Sequence, residues 1–321
     1  MADIDLQQGR ILPRATVRRW VDVGGGIHAL LLSVDGSTIS FAEGSTVALA
    51  EGTAVGLAAG AGVMFIDESG TAYGIKHVDN KPRVSSMPYT YDISEGNVAD
   101  HTAVRQFGHN PDVGTAWEAV SHIGAVMYYP TADETLIVKS DDTDDDGAPV
   151  GAGARTIYVN GLNDAWAVVE DTITLNGTTA VNFNTDMFRV NYLEVLTVGA
   201  SGTNEGEITV YGADGTSKIM SIENGEGVSH SASYSVPAGV TFYLVDQFIS
   251  DASLKGANIA LFVRELGGLW HLQHGFQILT AAVSIPTSFP EPHAAKTDLE
   301  WRAKAKLAGA DVGVKFSGWT E

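Results

Sequence analysis

The chain contains no cysteine. That absence excludes disulfide bonds, thiolate metal sites and cysteine nucleophiles outright. Cations are scarce: 19 Lys and Arg stand against 39 Asp and Glu, for a formal net charge of −20. A surface of that sign repels phosphate backbones, so nucleic acid is not an expected partner. Long apolar runs are missing as well. The most apolar stretch, Thr53–Ile66, is too short to span a bilayer and is interrupted by Gly56, Gly60 and Gly62. The opening MADIDLQQGR carries charges and lacks the apolar segment of a signal peptide. The expectation is a soluble protein with no membrane partner. No long amphipathic helix is convincing, which disfavours alternating α/β folds, and no short-period repeat is clear.

Glycine is abundant instead, at 36 of 321 residues, against 44% hydrophobic residues overall. Glycines spread along a chain read as turn residues, and many turns imply many short strands. The expected fold is therefore all-β, in two β-rich domains joined by an irregular connector. Residues 1–88 form a small N-terminal domain, with strands at Arg14–Val23 and Ile27–Val34 around Gly24–Gly26. A second pair, Val63–Ile66 and Ala72–Val78, surrounds the turn Asp67–Gly70, while Ser45–Ala61 is ambiguous. Residues 89–124 read as the connector, bounded by Met87-Pro88 and Asn110-Pro111, with a short helix near Asp100–Phe107 or Ala116–His122.

Residues 125–321 carry strand signals at the spacing of an antiparallel, jelly-roll-like β-sandwich. The candidates begin with Ala125–Tyr129, Thr135–Lys139, Arg155–Val159, Asp171–Leu175, Phe188–Val198, Glu207–Tyr211 and Lys218–Ile222. They continue with Ser229–Val236, Thr241–Phe248, Asn258–Glu265, Trp270–Ala281, Asp298–Leu307 and Val312–Ser317. Trp301, Ala303, Ala305 and Leu307 alternate with Arg302, Lys304 and Lys306, one face buried and one solvated.

Few residues suggest chemistry. Asp142, Asp144, Asp146 and Gly147 match the start of a calcium loop, where alternate carboxylates converge on a hard cation. The twelfth position is Gly153 rather than the closing Glu, and no helices flank the run. A looser Ca²⁺ site, completed by carbonyls or a neighbouring subunit, competes with a solvated acidic turn, and the turn is favoured. No other cofactor is expected. Gly151–Arg155 lacks the third glycine of a dinucleotide loop and enters a strand rather than a helix. His271 and His274 fall on a strand, pointing to opposite faces, and His101 and His109 lack a carboxylate at a recognised ligand spacing. Asn176-Gly177-Thr178 reads as a hairpin turn rather than a glycosylation site. There is no G-x-S-x-G elbow, and a pair of glycosidase carboxylates cannot be chosen by spacing alone.

Several segments in order resemble a β-module of virion structural proteins from tailed bacteriophages, particularly marine and freshwater phages. They are YDISEGNVADHTAVRQFGHNPDVGT (Tyr91–Thr115), GAGARTIYVNGL (Gly151–Leu162), TLNGTTAV (Thr174–Val181) and FRVNYLEV (Phe188–Val195). GASGTNEGEITV (Gly199–Val210), SVPAGVTFYL (Ser235–Leu244) and KTDLEWRAKA (Lys296–Ala305) complete the series. The resemblance implies a non-enzymatic, multicopy, homo-oligomeric particle component assembled in a bacterial host. A capsid decoration or cement protein binding other virion proteins, the major capsid protein first among them, is the leading expectation. A tail, baseplate or fibre component is the alternative, or a carbohydrate-binding or depolymerising receptor protein.

Overall fold

The computed structural model describes residues 89–253, 255–278 and 281–321, preceded by six short strands. Those strands are β1 (Val17–Asp22), β2 (Ile27–Leu32), β3 (Met64–Ile66), β4 (Ala72–Gly74), β5 (His77–Val78) and β6 (Lys81–Pro82). They pair as antiparallel couples: β1 with β2, β3 with β4, and β5 with β6. The expected turns at Gly24–Gly26 and Asp67–Gly70, and the ambiguous Ser45–Ala61, lie outside the described residues. The chain divides into two compact units, Met1–Met87 and Pro88–Glu321.

Among its described residues the second unit is antiparallel sheet with connecting turns, apart from one short helix, α1 (Tyr89–Ser94). Its middle part contains two sheets. One orders β11 (Val168–Thr174), β10 (Ala154–Leu162) and β13 (Arg189–Val198). The other orders β12 (Val181–Asn182), β9 (Ile137–Ser140), β14 (Ile208–Tyr211) and β15 (Lys218–Ile222). Alternating apolar residues from both sheets meet in one core that includes Val138, Ile157, Ile173, Leu193, Val210 and Met220.

The rest of the unit forms two further sheets. The first orders β20 (Ala281–His293), β17 (Phe242–Asp251), β22 (Ala310–Thr320) and β7 (Thr102–Val113). The second orders β16 (Ser233–Ser235), β21 (Thr297–Ala305), β18 (Ala257–Glu265) and β19 (His271–Ile278), with β8 (Glu118–Ala119) also on β21. These share another core, with Phe242, Leu261, Trp301 and Phe316 fully buried. Each such side chain stabilises the fold by about 1.5–3 kcal/mol on burial. The middle core is thus an excursion between β8 and β16, and the outer core closes only when β7 pairs with β22.

Several expectations change. Thr102–Val113 is a twelve-residue strand, not part of an irregular connector, and neither expected helix forms there. Asn110-Pro111 looks like a boundary, but the pairing of β7 with β22 is irregular there, passing from Val312↔Asn110 to Ala310↔Val113. An irregular edge strand tolerates a residue without an N–H. Ala125–Tyr129 is not a strand; it carries the chain from one core to the other. The alternation at Trp301 holds through Ala305, but Leu307 is 66% exposed, beyond the end of β21. Asn176-Gly177 does not close a hairpin: it links β11 to β12 of the facing sheet and rests against the acidic loop.

Candidate functional site

The acidic loop is built around a residue that the calcium pattern passes over. Asp145 is fully buried. Its Oδ1 accepts from the N–H groups of Ala154 (2.7 Å) and Glu205 (2.9 Å). Its Oδ2 accepts from Gly206 N–H (2.9 Å) and the Ser140 hydroxyl (2.6 Å). The Gly151–Arg155 run is glycine-rich for the same reason: a Cβ on Gly153 would stand 2.2 Å from Asp145 Oδ1. Asp142 and Asp146 instead cap their own turns, through Asp144 N–H (2.8 Å) and Ala148 N–H (2.7 Å). Asp142, Asp144 and Asp146 do not form a convergent set of three ligand atoms among the described residues. The loop acts as a bracket between β9, β10 and the passage into β14.

A convergent set does form elsewhere, at the crossing between the two cores. His122 follows β8, where the chain leaves the outer core; Glu223, Glu226 and His230 lie on its return between β15 and β16. A bridge between Ser121 and Ser231 ties the two passages together. Strand β7 runs alongside, and at Gly108 it approaches so closely that a Cβ would stand 2.2 Å from both Val120 O and Ala232 N. The absence of a side chain there brings the next residue, His109, into the group.

His122 is almost fully buried, and its Nδ1 lies 2.7 Å from Glu223 Oε2. Its Nε2 lies 3.1 Å from His109 Nδ1 and 3.7 Å from Glu226 Oε2. Glu226 Oε2 is also 2.6 Å from His230 Nδ1, and His109 Nε2 is 2.7 Å from Asp311 Oδ1 on β22. The ligand atoms of His122, Glu226 and His230 all fall within 4.8 Å of one another. Burial pushes the His230 pKa down, the Glu226 carboxylate opposes this, and His122 adds to it. Phe107 packs edge-on against the His230 ring, with centroids 5.0 Å apart.

The other singled-out histidines are placed differently. His101 pairs with Glu321 at 2.7 Å. On β19, His274 reaches Glu291 of β20 at 2.7 Å, while His271 is exposed. His109 does have a carboxylate neighbour, Asp311, but it is 202 positions away in sequence. Spacing along the chain carries no signal for such a pair.

A second polar assembly joins the cores. Asp298 on β21 is 1% exposed and accepts from Arg189 Nε (2.8 Å) and Nη2 (3.0 Å), Arg264 Nη2 (2.6 Å) and the Ser235 hydroxyl (2.6 Å). Arg189 belongs to β13 of the middle core, so the ion pair spans the joint. Around it cations and rings alternate: Arg189 and Arg264 over Tyr129, Arg264 and Arg302 over Trp270, Arg302 over Phe262, and Lys304 over Trp117. Such stacking favours desolvated guanidinium groups. Burial and the neighbouring carboxylates of Glu300 and Asp298 push the Tyr129 pKa well up. Burial also raises Glu300, against the pull of Arg302.

Two surface features complete the inventory. Strands β19 and β20 are the edges of their two sheets and are exposed along most of both faces. With the β18–β19 turn they present Leu266, Leu269, Leu272, Val283 and Phe289, the last 84% exposed. A cleft of about 400 Å³ is lined by residues of α1, β7, β17 and β22. Half-exposed Tyr91 lines it, with Trp319, Arg105 and Asp246. Among the described residues no helix is long and apolar enough to cross a membrane. No family model matches the chain, and no curated protein matches it.

Proposed function

We propose that the chain is a non-enzymatic structural protein of a tailed-phage virion, acting as a decoration or cement protein on the head. In this reading each pair of sheets in the second unit packs as a β-sandwich, following the first, β-rich domain. The surface of β19 and β20 is the observation that supports the reading best. An acidic chain that exposes Leu269, Leu272, Val283 and Phe289 along two neighbouring sheet edges has a surface suited to burial against protein. Pro286, Pro290 and Pro292 on β20 oppose strand addition there, which leaves side-chain packing as the mode of contact. The occupants proposed are the major capsid protein and further copies of this chain, and identical copies on a symmetric shell suit a single self-complementary patch.

Cryo-electron microscopy of intact particles, with the chain located in the density, tests this. Copies arrayed on the head support it. Density confined to the tail tip replaces it with a tail or receptor-binding role. The cleft beside Tyr91 favours that second reading, because an aromatic face beside Arg105 and Asp246 suits a sugar ring. Binding to a glycan array that Tyr91→Ala abolishes would establish it.

A further inference from the structure

We propose that His122, Glu226 and His230 form a binding site for a divalent transition-metal ion of the zinc class, with His109 as the fourth ligand. The ion would pin the chain's departure from the outer core to its return.

The proton positions follow from the outer partners. A carboxylate only accepts, so His122 Nδ1, 2.7 Å from Glu223, carries the ring proton, and Nε2 of the neutral ring is a bare lone pair. By the same reasoning His109 donates from Nε2 to Asp311, which leaves its Nδ1 bare. These two lone pairs face each other at 3.1 Å. Glu226 Oε2 adds a third electron-rich atom, 3.7 Å from His122 Nε2 and 2.6 Å from His230 Nδ1, whose proton a bound ion would displace from that nitrogen. Acceptors that converge in this way repel one another unless a cation or a proton stands between them.

The ligand types select the cation. Imidazoles with one carboxylate suit zinc and its transition-metal neighbours, whereas calcium and magnesium take oxygen-only sets. Bonds of about 2.0–2.1 Å in a tetrahedron place ligand atoms roughly 3.3 Å apart. One ligand atom from each of His122, Glu226 and His230 lies within 4.8 Å of the others, and binding would draw them to the tetrahedral spacing. The Glu223–His122 and Asp311–His109 contacts already supply the outer carboxylates that orient metal-bound histidines and fix their tautomers.

The test uses the full chain, stripped with a chelator and titrated with zinc by calorimetry. Cobalt substitution gives a visible-absorption readout of four-coordinate geometry. Uptake of one equivalent, tetrahedral cobalt bands and a higher melting temperature are expected. His122 is too buried for its removal to be informative alone, so the decisive variants are Glu226→Gln and His230→Gln, whose side chains are 31% and 23% exposed. Each should weaken zinc binding by about tenfold or more while the far-ultraviolet dichroism is unchanged. A combined Asp142→Asn, Asp144→Asn and Asp146→Asn variant should bind zinc as the parent does. Absence of zinc uptake would overturn the proposal and leave a proton shared between His109 and His122. Uptake that survives both decisive variants, or that only the acidic-loop variant abolishes, would overturn it equally.

Discussion

The acidic loop and the histidine cluster both gather acceptor atoms, but the loop surrounds its buried carboxylate with donors, whereas the cluster sets His109 Nδ1 against His122 Nε2. Asp145 meets three backbone N–H groups and a hydroxyl, and Asp142 and Asp146 each cap a turn. At the cluster, His109, His122 and Glu226 turn electron-rich atoms toward one another. Acceptors with donors in place are complete as structure. Acceptors that face each other need a cation or a proton between them. Asp298 is an intermediate case, a buried carboxylate whose two cations come from the chain itself.

That contrast can be tested by removal. The largest effect is expected at Asp298→Asn, which leaves the Arg189 and Arg264 guanidinium groups short of their counter-charge. Loss of about 3–5 kcal/mol in urea unfolding is expected, as for other broken buried pairs. Asp145→Ala comes next, at roughly 3 kcal/mol, because three N–H groups near β10 and β14 lose their acceptor. A near-neutral result there would mean that the loop is not the bracket its geometry describes.

His293 sharpens the comparison from the other side. Buried against Phe242, it has an Nε2 with no hydrogen-bond partner, and burial pushes its pKa from 6.5 down to about 4. The folded chain therefore refuses a proton that the unfolded chain accepts. Stability is intact above pH 6.5 and is lost progressively as pH falls from 6.5 to about 4, by up to about 3 kcal/mol. Thermal melts from pH 7 to 4 should show this loss, and His293→Phe should flatten it. The smallest effect belongs to Asp144→Asn, an exposed position, where unfolding should shift by less than about 0.5 kcal/mol. Calorimetry with Ca²⁺ should give the same trace before and after that substitution.

Local pattern was legible in the sequence where one face is wet and the other dry. The Trp301, Ala303, Ala305 alternation marks β21, and the runs Arg155–Val159 and Asp171–Leu175 mark β10 and β11, which pair through Ile157↔Ile173. Strand β20 escaped notice because Pro286, Pro290 and Pro292 oppose a strand assignment that an edge position allows. The excursion of the middle core was equally hidden, since β7 carries no sign that its partner is β22. The same holds for the site: spacing singled out Asp142, Asp144 and Asp146, whereas His109, His122 and His230 meet only through a crossing of the chain. The glycine at 108 is the sole local trace of that crossing, and close backbone approach cannot be told from a turn in a bare sequence.

The pairing of β7 with β22 also has a consequence for synthesis. On the ribosome, Thr102–Val113 emerges long before its partner, Ala310–Thr320. The middle strands, from β9 to β15, are complete long before then and can condense while β7 waits unpaired. Domains that mature during translation gain most when their contacts are local, and this one postpones its long-range β7–β22 pairing until β22 has been made. A chain cut before β22 would leave β7, a twelve-residue strand, without its partner.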